Sequence, residues 1–168
     1  MRRVILESMD SGLGLIQIVD AALAAATLKS GGWLACRPGC CECCMGPFPI
    51  SEADAVRLRD GLRELESRDS ARAGRILGRA RGWAERDDEP CPVLDPDTGT
   101  CDLYASRPLT CRTFGPPVRC ASGGLAICEL CFDGATEEEI AACVVELDPR
   151  VLENAGEEMT VAAALGAG

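Results

Sequence analysis

The sequence predicts a mainly α-helical protein in which an irregular, cysteine-rich segment with a short β-hairpin lies between helices. Apolar residues recur at helical spacing in three parts of the chain, at 13–28, 51–86 and 136–148. Between 87 and 135 this periodicity fails, and Pro, Gly, Asp and Cys dominate. Eleven of the twelve cysteines lie between 36 and 131. Something other than apolar packing must therefore hold the middle of the chain together.

Length and charge limit the organisation and the partners. At 168 residues, the expected organisation is a single domain, 1–168, with a core large enough not to depend on disulfides. The net charge of −10 argues against binding to nucleic acid or to an anionic membrane, because both require a basic surface. We therefore expect neither of them as a partner.

The first predicted helix covers residues 13–28. Ile16, Val19, Leu23 and Ala26 recur at helical spacing, which predicts a face that packs on a core. Acidic residues within and before this stretch interrupt the apolar run of a signal peptide, and the run is shorter than the ~20 residues of a membrane-spanning helix. A cytoplasmic protein is therefore expected. In that reducing compartment, clustered thiols are more often metal ligands than disulfides.

Residues 51–86 are expected to form a helical hairpin. Ser51 is a predicted N-cap followed by acidic first-turn residues, and apolar residues continue on one face to residue 68. The same periodicity resumes at 73–84. Arginines and acidic residues are nearly equal in number here, which predicts solvated faces with i,i+4 ion pairs and not a nucleic-acid patch.

Two further elements are expected toward the C-terminus. Turn-like residues in the middle of 117–130 predict the short hairpin. Thr136 and Glu139 form a capping-box pattern at the start of the helix at 136–148. Cys143 falls on the apolar face of that helix together with Leu147, so core packing is its expected role.

The absence of certain residue types limits the chemistry of the chain. It contains no histidine, which excludes an imidazole base for a serine or cysteine nucleophile and a histidine-ligated catalytic zinc site. Its one lysine, Lys29, lies in no phosphate-binding loop, and no G-x-G-x-x-G occurs. No catalytic residue, substrate or reaction is therefore predicted, and thiolate chemistry remains.

The densest group of thiols is CRPGCCECC at 36–44. Two C-x-x-C pairs interleave in it, Cys40 with Cys43 and Cys41 with Cys44. A C-x-x-C loop can turn both sulfurs toward one soft metal, and thiolates suit zinc or iron–sulfur clusters. Because neighbouring side chains diverge, these thiols cannot easily all face one centre: Cys43 and Cys44 either point to different sites or include one that is not a ligand, and the role of Cys41 stays open.

Six more cysteines follow, first at intervals of ten residues and then in a last C-x-x-C. One four-thiolate site and two such sites both stay open, and disulfides or unliganded thiols are the alternatives. A metal would hold the irregular part together, so the prediction includes a metal-stabilised segment at about 36–131. No role is predicted for Cys120. The candidate metal ligands are Cys36, Cys40, Cys43, Cys44, Cys91, Cys101, Cys111, Cys128 and Cys131.

Two metals fit these thiols, and they imply two classes of function. Zinc ribbons use two separated knuckles, which Cys40-x-x-Cys43 and Cys128-x-x-Cys131 would provide in a non-catalytic structural, interaction or metal-handling module. Iron–sulfur proteins use a compact run with a remote cysteine, often followed by proline, as in Cys91-Pro92. The second pattern fits better. An iron–sulfur cluster (4Fe–4S) in a redox or maturation role, with an unknown protein partner or electron donor, is therefore expected, and zinc is the alternative.

Two arginines are candidates for binding around such a cofactor. Four thiolates on zinc or on an oxidised four-iron cluster leave a net charge of about −2, which Arg107 and Arg112 would offset. Surface pairing with Asp95, Asp97 or Asp102 is the alternative.

Three motifs in order resemble the YkgJ-like cysteine-cluster family, whose members are described as zinc- or iron-chelating. The motifs are CRPGCCECC at 36–44, CPVL at 91–94 and CDLYASRPLTCRTF at 101–114. The resemblance covers about 36–131 and implies metal chelation. It assigns to the family pattern Cys36, Cys40, Cys43, Cys44, Cys91, Pro92, Leu94, Cys101, Tyr104, Arg107, Pro108, Cys111, Arg112 and Phe114.

The first motif departs from the family pattern in two ways. The gap between Cys36 and Cys40 is one residue longer, and Cys41 stands where the family has glycine. The resemblance therefore does not assign Cys41 as a ligand.

Overall fold

The computed structural model describes residues 12–120, 122–147 and 158–166. The chain divides into two compact units. Unit 1 consists of Met1–Cys36 and Arg112–Asn154, and unit 2 consists of Arg37–Cys111 and Ala155–Gly168. The single domain expected from the length stays a prediction.

Helices and two small hairpins make up the regular structure of the described residues. The helices are α1 (Gly12–Ser30), α2 (Glu52–Arg68), α3 (Ser70–Gly82), α4 (Leu109–Arg112), α5 (Glu137–Cys143) and α6 (Val161–Ala164). Two antiparallel pairs are formed by β1 (Leu94–Asp95) with β2 (Thr100–Cys101), and by β3 (Val118–Arg119) with β4 (Leu125–Ala126). Short 3₁₀ turns lie at Gly31–Trp33, Glu42–Cys44 and Tyr104–Ser106. The predicted class, mainly α with an irregular cysteine-rich segment, is confirmed.

Helix α1 belongs to unit 1 and confirms the helix predicted at 13–28. Ile16, Val19, Leu23 and Ala26 are buried along one face, as the periodicity predicts. The helix packs against α5 of the same unit. Across the described ranges, no helix combines the length and the apolar character that crossing a membrane requires.

The helical hairpin of unit 2 begins at the predicted cap. The Ser51 hydroxyl accepts from the Asp54 N–H, and the Asp54 carboxylate accepts from the Ser51 N–H, so the two residues form a capping box. Asp69 separates α2 from α3 and caps α3 by accepting from the Arg72 N–H at 2.9 Å. Both helices pack against each other and against α6, which forms the core beside the irregular segment.

Helix α3 ends at Gly82, before the end predicted at residue 86. Trp83 is extended, with φ −68° and ψ 137°, and its indole N–H donates to the Pro90 carbonyl at 3.1 Å. This tertiary contact replaces the helical continuation that the periodicity predicts. The prediction of helix at 83–86 is therefore wrong.

Helix α5 starts at the predicted capping box but ends at Cys143. Beyond it, the Val145 N–H donates to the Pro117 carbonyl at 2.8 Å, and this pairing draws the chain out of the helix. The prediction of helix at 144–147 is therefore wrong, and residue 148 lies outside the described residues.

The sequence predicts one of the two hairpins. The pair β3–β4 lies within the predicted 117–130. The pair β1–β2 was not expected, although its turn carries a local signal. The Asp95 carboxylate accepts from the N–H groups of Asp97 and Thr98 at 2.9 and 3.3 Å, and Gly99 takes φ +65°, a conformation that favours glycine.

Candidate metal centre

A short backbone ladder joins the first cysteine motif to the second. The Cys91 N–H donates to the Cys44 carbonyl at 2.7 Å, and Met45 forms an antiparallel bridge with Pro90. Cys43 lies on the 3₁₀ turn that leads into this ladder. Two cysteine motifs that are far apart in sequence are therefore neighbours in unit 2.

Hairpin β1–β2 brings Cys101 to the same place. Cys101 pairs with Leu94 across the hairpin, and the Leu94 N–H donates to the Cys91 carbonyl at 2.9 Å. The Asp102 N–H donates to the Val93 carbonyl at 2.8 Å. Cys91 and Cys101 therefore share the open end of one hairpin.

The chain that continues from this hairpin packs closely on α2. A Cβ atom at Gly61 would overlap the Ser106 side chain. Glycine at position 61 therefore allows the turn at Tyr104–Ser106 to approach the helix, which sets the path of the chain toward Cys111.

A buried carboxylate holds the start of the segment that carries Cys111. The Leu109 N–H, at the beginning of α4, donates to the Asp54 carboxylate at 2.9 Å. Asp54 is 2% exposed and also caps α2 through Ser51. One side chain thus joins the N-terminal ends of α2 and α4.

These segments assemble four thiols, which we call the thiol tetrad: Cys43, Cys91, Cys101 and Cys111. The thiol of each member lies within electrostatic range of the other three. Cys91 is buried and the other three are half-buried, and none of them is part of a disulfide bond. Each member comes from a different segment of the chain.

The surroundings favour the protonated form of the tetrad thiols. Burial raises the pKa of Cys91 from 9.0 to about 12, and it also raises the pKa values of Cys101 and Cys111. A hydrogen bond with the Cys44 side chain, together with burial, raises the pKa of Cys43. Ionised thiols this close also repel one another. The four therefore ionise together only beside a strong positive charge, such as a metal cation.

Two arginines of unit 2 oppose these shifts. Burial dominates the pKa of Cys91 and of Cys101, but Arg79 favours the thiolate of the first and Arg107 that of the second. The Arg107 guanidinium lies over the Tyr104 ring, 3.9 Å from its centroid. The sequence suggested Arg107 as a residue beside the cofactor, but it did not suggest Arg79.

Arg112, the other candidate arginine, belongs to unit 1. Its side chain is 5% exposed, and its Nη1 donates to the Asp20 carboxylate of α1 at 2.6 Å. This carboxylate was not among the partners that the sequence suggests. The role of Arg112 beside a cofactor stays a prediction.

Asp102 lies at the centre of an ion-pair network that was not predicted from the sequence. Its carboxylate is 1% exposed and accepts from Arg72 Nε at 2.6 Å and from Arg79 Nη2 at 2.8 Å. Both arginines lie on α3, and their pairing with a buried carboxylate was not predicted from the sequence. Their spacing of two helical turns, which puts them on one face, was the available signal.

The tetrad is a group of neighbouring thiols and not a formed coordination sphere. In the parts of the chain that the structure describes, no three cysteine, aspartate or glutamate side chains are arranged so that they could hold a metal ion. Metal binding would therefore have to draw the four sulfurs together.

Three more cysteines of the first motif belong to unit 2. Cys41 and Cys44 pack against the apolar core that includes Cys91. Cys44 contacts the tetrad through its hydrogen bond with Cys43. For Cys40, which is half-buried, a ligand role stays a prediction, and the role of Cys41 stays open.

The remaining candidate cysteines belong to unit 1. The Cys131 N–H donates to the Cys128 carbonyl at 2.9 Å, which closes the C-x-x-C turn. Cys131 and Cys143 are buried in one apolar cluster, so the predicted core position of Cys143 is confirmed. Cys36 is exposed. Ligand roles for Cys36, Cys128 and Cys131 stay predictions.

A groove of about 240 Å³ reaches Cys91 from the surface of unit 2. Trp83, Pro90 and Leu94 are among its apolar walls, and Arg79 lines it as well. Cys91, which is 6% exposed, is itself among the residues that line the groove.

The raised thiol pKa values predict that alkaline pH destabilises the metal-free protein. Folding keeps the Cys91 thiol protonated up to about pH 12, whereas the unfolded chain ionises it near 9.0. The contribution of this shift to stability is therefore complete below pH 9.0 and is lost as pH rises through the folded-state pKa. In this window, each such thiol lowers the free energy of unfolding by about 1.4 kcal/mol per pH unit.

Urea unfolding of the reduced, chelator-treated protein at about pH 8 and about pH 10 measures this loss. Cys91→Ala is the matched control, because it removes one titrating group and should make the dependence on pH shallower. An equal free energy of unfolding at both pH values would contradict the prediction.

A protein-family model named CxxCxxCC, described as "Putative zinc- or iron-chelating domain", matches residues 35–132. The match covers more than half of the chain and includes every member of the tetrad. No curated protein and no solved structure matches the chain.

Proposed function

The chain belongs to the CxxCxxCC family of zinc- or iron-chelating domains, and from this premise we propose that the thiol tetrad is its metal site. The family supports metal binding in general. We further propose that the metal is iron, held as a 4Fe–4S cluster in a redox or maturation role.

One observation carries the proposal: four thiols from four segments lie within electrostatic range of one another in unit 2. Thiolates are soft ligands, and four of them complete the usual ligand set of an iron–sulfur cluster or of a structural zinc ion. Ionised thiols gathered in this way repel one another unless a cation lies between them. A metal therefore accounts for the arrangement.

The residues around the tetrad suit such a cofactor. Arg79 and Arg107 would offset the negative charge of four thiolates. Buried apolar side chains, such as Val93 and Leu103, would limit the access of water. When bound, an iron–sulfur cluster supplies one-electron transfer at a potential set by charge, hydrogen bonding and exposure. An unknown protein partner or electron donor would exchange electrons with it.

The distribution of the thiols in sequence favours iron over zinc. Cys43 lies in a compact cysteine run, and the remote Cys91 is followed by Pro92, a pattern typical of iron–sulfur proteins. Zinc is the second candidate, because the same four thiolates would complete a structural zinc site. A zinc centre would make the protein a non-catalytic structural, interaction or metal-handling module.

We also propose a cytoplasmic location. None of the tetrad thiols is in a disulfide bond, and clustered cysteines serve as metal ligands mainly in reducing compartments. Cell fractionation tests the location, and recovery in an oxidising compartment would contradict it.

Purification without oxygen, followed by metal and acid-labile sulfide analysis, tests the proposed cofactor. We expect about four iron and four sulfide per chain, with a brown colour that dithionite bleaches and a mild oxidant restores without oxygen. One zinc per chain without visible absorption would support the second candidate. Protein that binds neither metal, even after reconstitution, would contradict the metal site itself.

A further inference from the structure

Cys91 and Cys101 are each followed directly by a residue that binds the same arginine. Arg79 Nε donates to the Pro92 carbonyl at 2.7 Å, and Arg79 Nη2 donates to the Asp102 carboxylate at 2.8 Å. Pro92 comes directly after Cys91, and Asp102 comes directly after Cys101. One guanidinium therefore fixes the chain beside two members of the tetrad.

A guanidinium is well suited to hold two acceptors at a set separation. It is planar and always charged, and its N–H groups diverge in a rigid fork. The Asp102 side chain is 1% exposed and that of Arg79 is 27% exposed. A carboxylate this buried is costly to leave without a partner, so the contact constrains both residues.

Helix α3 gives Arg79 a rigid base. Ile76 and Ala80, on either side of it, are buried in the core of unit 2. Arg72, two turns earlier on the same helix, does not hold two separate acceptors in this way. Among the hydrogen bonds that the structure describes, its guanidinium reaches the Asp102 carboxylate alone. The chain therefore contains its own control for Arg79.

We propose that Arg79 is a positioning residue for the metal centre, which sets the separation of the Cys91 and Cys101 sulfurs by holding the residue that follows each of them. This inference rests on the proposed metal-binding function of the tetrad. It extends that function because a residue outside every cysteine motif would control the positions of two metal ligands. Groups that support metal ligands in this way typically change metal affinity when they are replaced.

Cobalt(II) is the probe for this role, because its thiolate charge-transfer bands report binding and its d–d bands report ligand geometry. Arg79→Gln should weaken cobalt binding about tenfold or more and shift the d–d bands. Arg72→Gln, which removes an ion pair but not the Pro92 contact, should weaken binding less than about fivefold and leave the bands in place. Urea unfolding of both variants measures their stability separately.

Arg79→Lys separates charge from geometry. A lysine keeps the positive charge, but a single ammonium cannot bind both acceptors as the fork does. We expect an affinity between those of the wild type and Arg79→Gln, with the d–d bands still shifted. Wild-type bands and affinity in Arg79→Lys or Arg79→Gln would overturn the positioning role. Equal changes in Arg79→Gln and Arg72→Gln would overturn it as well.

A second measurement does not depend on metal. If the wild type binds neither cobalt, iron nor zinc, the proposed function fails, and alkylation of the metal-free protein tests Arg79 instead. Mass spectrometry would follow the modification of Cys91 and Cys101, with Cys143 as the internal reference. Both rates should rise severalfold in Arg79→Lys, which keeps the positive charge that favours the Cys91 thiolate, and less in Arg72→Gln. Unchanged rates would overturn the role of Arg79.

Discussion

Cys111→Ser protein is expected to retain less than about a tenth of the wild-type metal when both are purified without oxygen. Cys111 lies within electrostatic range of the other three tetrad members. A serine hydroxyl stays protonated near neutral pH and is a hard donor, so it replaces neither the charge nor the softness of a thiolate. Metal analysis of the purified proteins measures the loss.

Cys143→Ser is the matched control for this variant. Cys143 is 5% exposed in an apolar cluster of unit 1, so the same change of atom should leave the metal content as it is. Its cost is a buried hydroxyl, which should lower the free energy of unfolding by about 1–3 kcal/mol. Full metal content in Cys111→Ser would contradict the assignment, and so would metal loss in Cys143→Ser.

The same series decides between two adjacent thiols. Cys43 lies within electrostatic range of every other tetrad member, whereas Cys44 contacts the tetrad by a hydrogen bond with Cys43. Cys43→Ser should therefore lose metal, and Cys44→Ser should keep most of it. The opposite result would transfer the ligand assignment to Cys44.

Periodicity predicted the bodies of the helices but not their ends. The buried face of α1 follows from spacing alone, because Ile16, Val19, Leu23 and Ala26 repeat every three or four residues. The ends of α3 and α5 depend on contacts with distant carbonyls. Trp83 donates to one of these carbonyls and the backbone of Val145 to another. No local sequence pattern predicts which carbonyl these groups will bind.

The candidate thiols could be predicted from residue type and motif, but their grouping could not. A turn signal in DPDTGT would have predicted the hairpin whose open end brings Cys101 near Cys91. The segment that carries Cys111 begins with a hydrogen bond between Leu109 and Asp54, which are far apart in sequence. A bound metal would select one grouping of the cysteines, and the pattern of apolar residues contains no information about that choice.

The balance of charges in the sequence also did not identify the two arginines that bind a buried carboxylate beside the tetrad. Arg68 pairs with Glu64 on an exposed face, as the balance of charges predicts. In sequence, Arg72 and Arg79 cannot be distinguished from Arg68, but in the structure both bind one carboxylate that is 1% exposed. Only the fold distinguishes a solvated arginine from one that compensates a buried charge.

Asp54→Ala is expected to lower the free energy of unfolding by about 3 kcal/mol or more. The Asp54 side chain is 3% exposed and pairs with Arg57. It accepts from the Ser51 hydroxyl at 3.0 Å and from the Leu109 N–H at 2.9 Å. Alanine would remove the Asp54 half of the capping box at α2 and leave a buried N–H and a guanidinium without their acceptor. Urea unfolding measures the loss.

The second capping box of the chain provides the control. Glu139 has the same capping position in α5 as Asp54 has in α2, but it lies on the surface. Glu139→Ala should therefore destabilise much less than Asp54→Ala. Asp54→Asn should fall between them, because the amide oxygen can still accept from Leu109 but no longer compensates Arg57. Equal losses in the two alanine variants would show that the buried position of Asp54 adds nothing.

Metal retention distinguishes a role at the centre from a role in stability alone. The hydrogen bond from Leu109 to Asp54 starts the helix that carries Cys111. Asp54→Ala should therefore lose metal to a chelator faster than the wild type under conditions in which both proteins remain folded. Glu139→Ala should release metal at the wild-type rate, because its capping box lies in unit 1. Wild-type release from Asp54→Ala would mean that α4 holds Cys111 in place without the Asp54 contact.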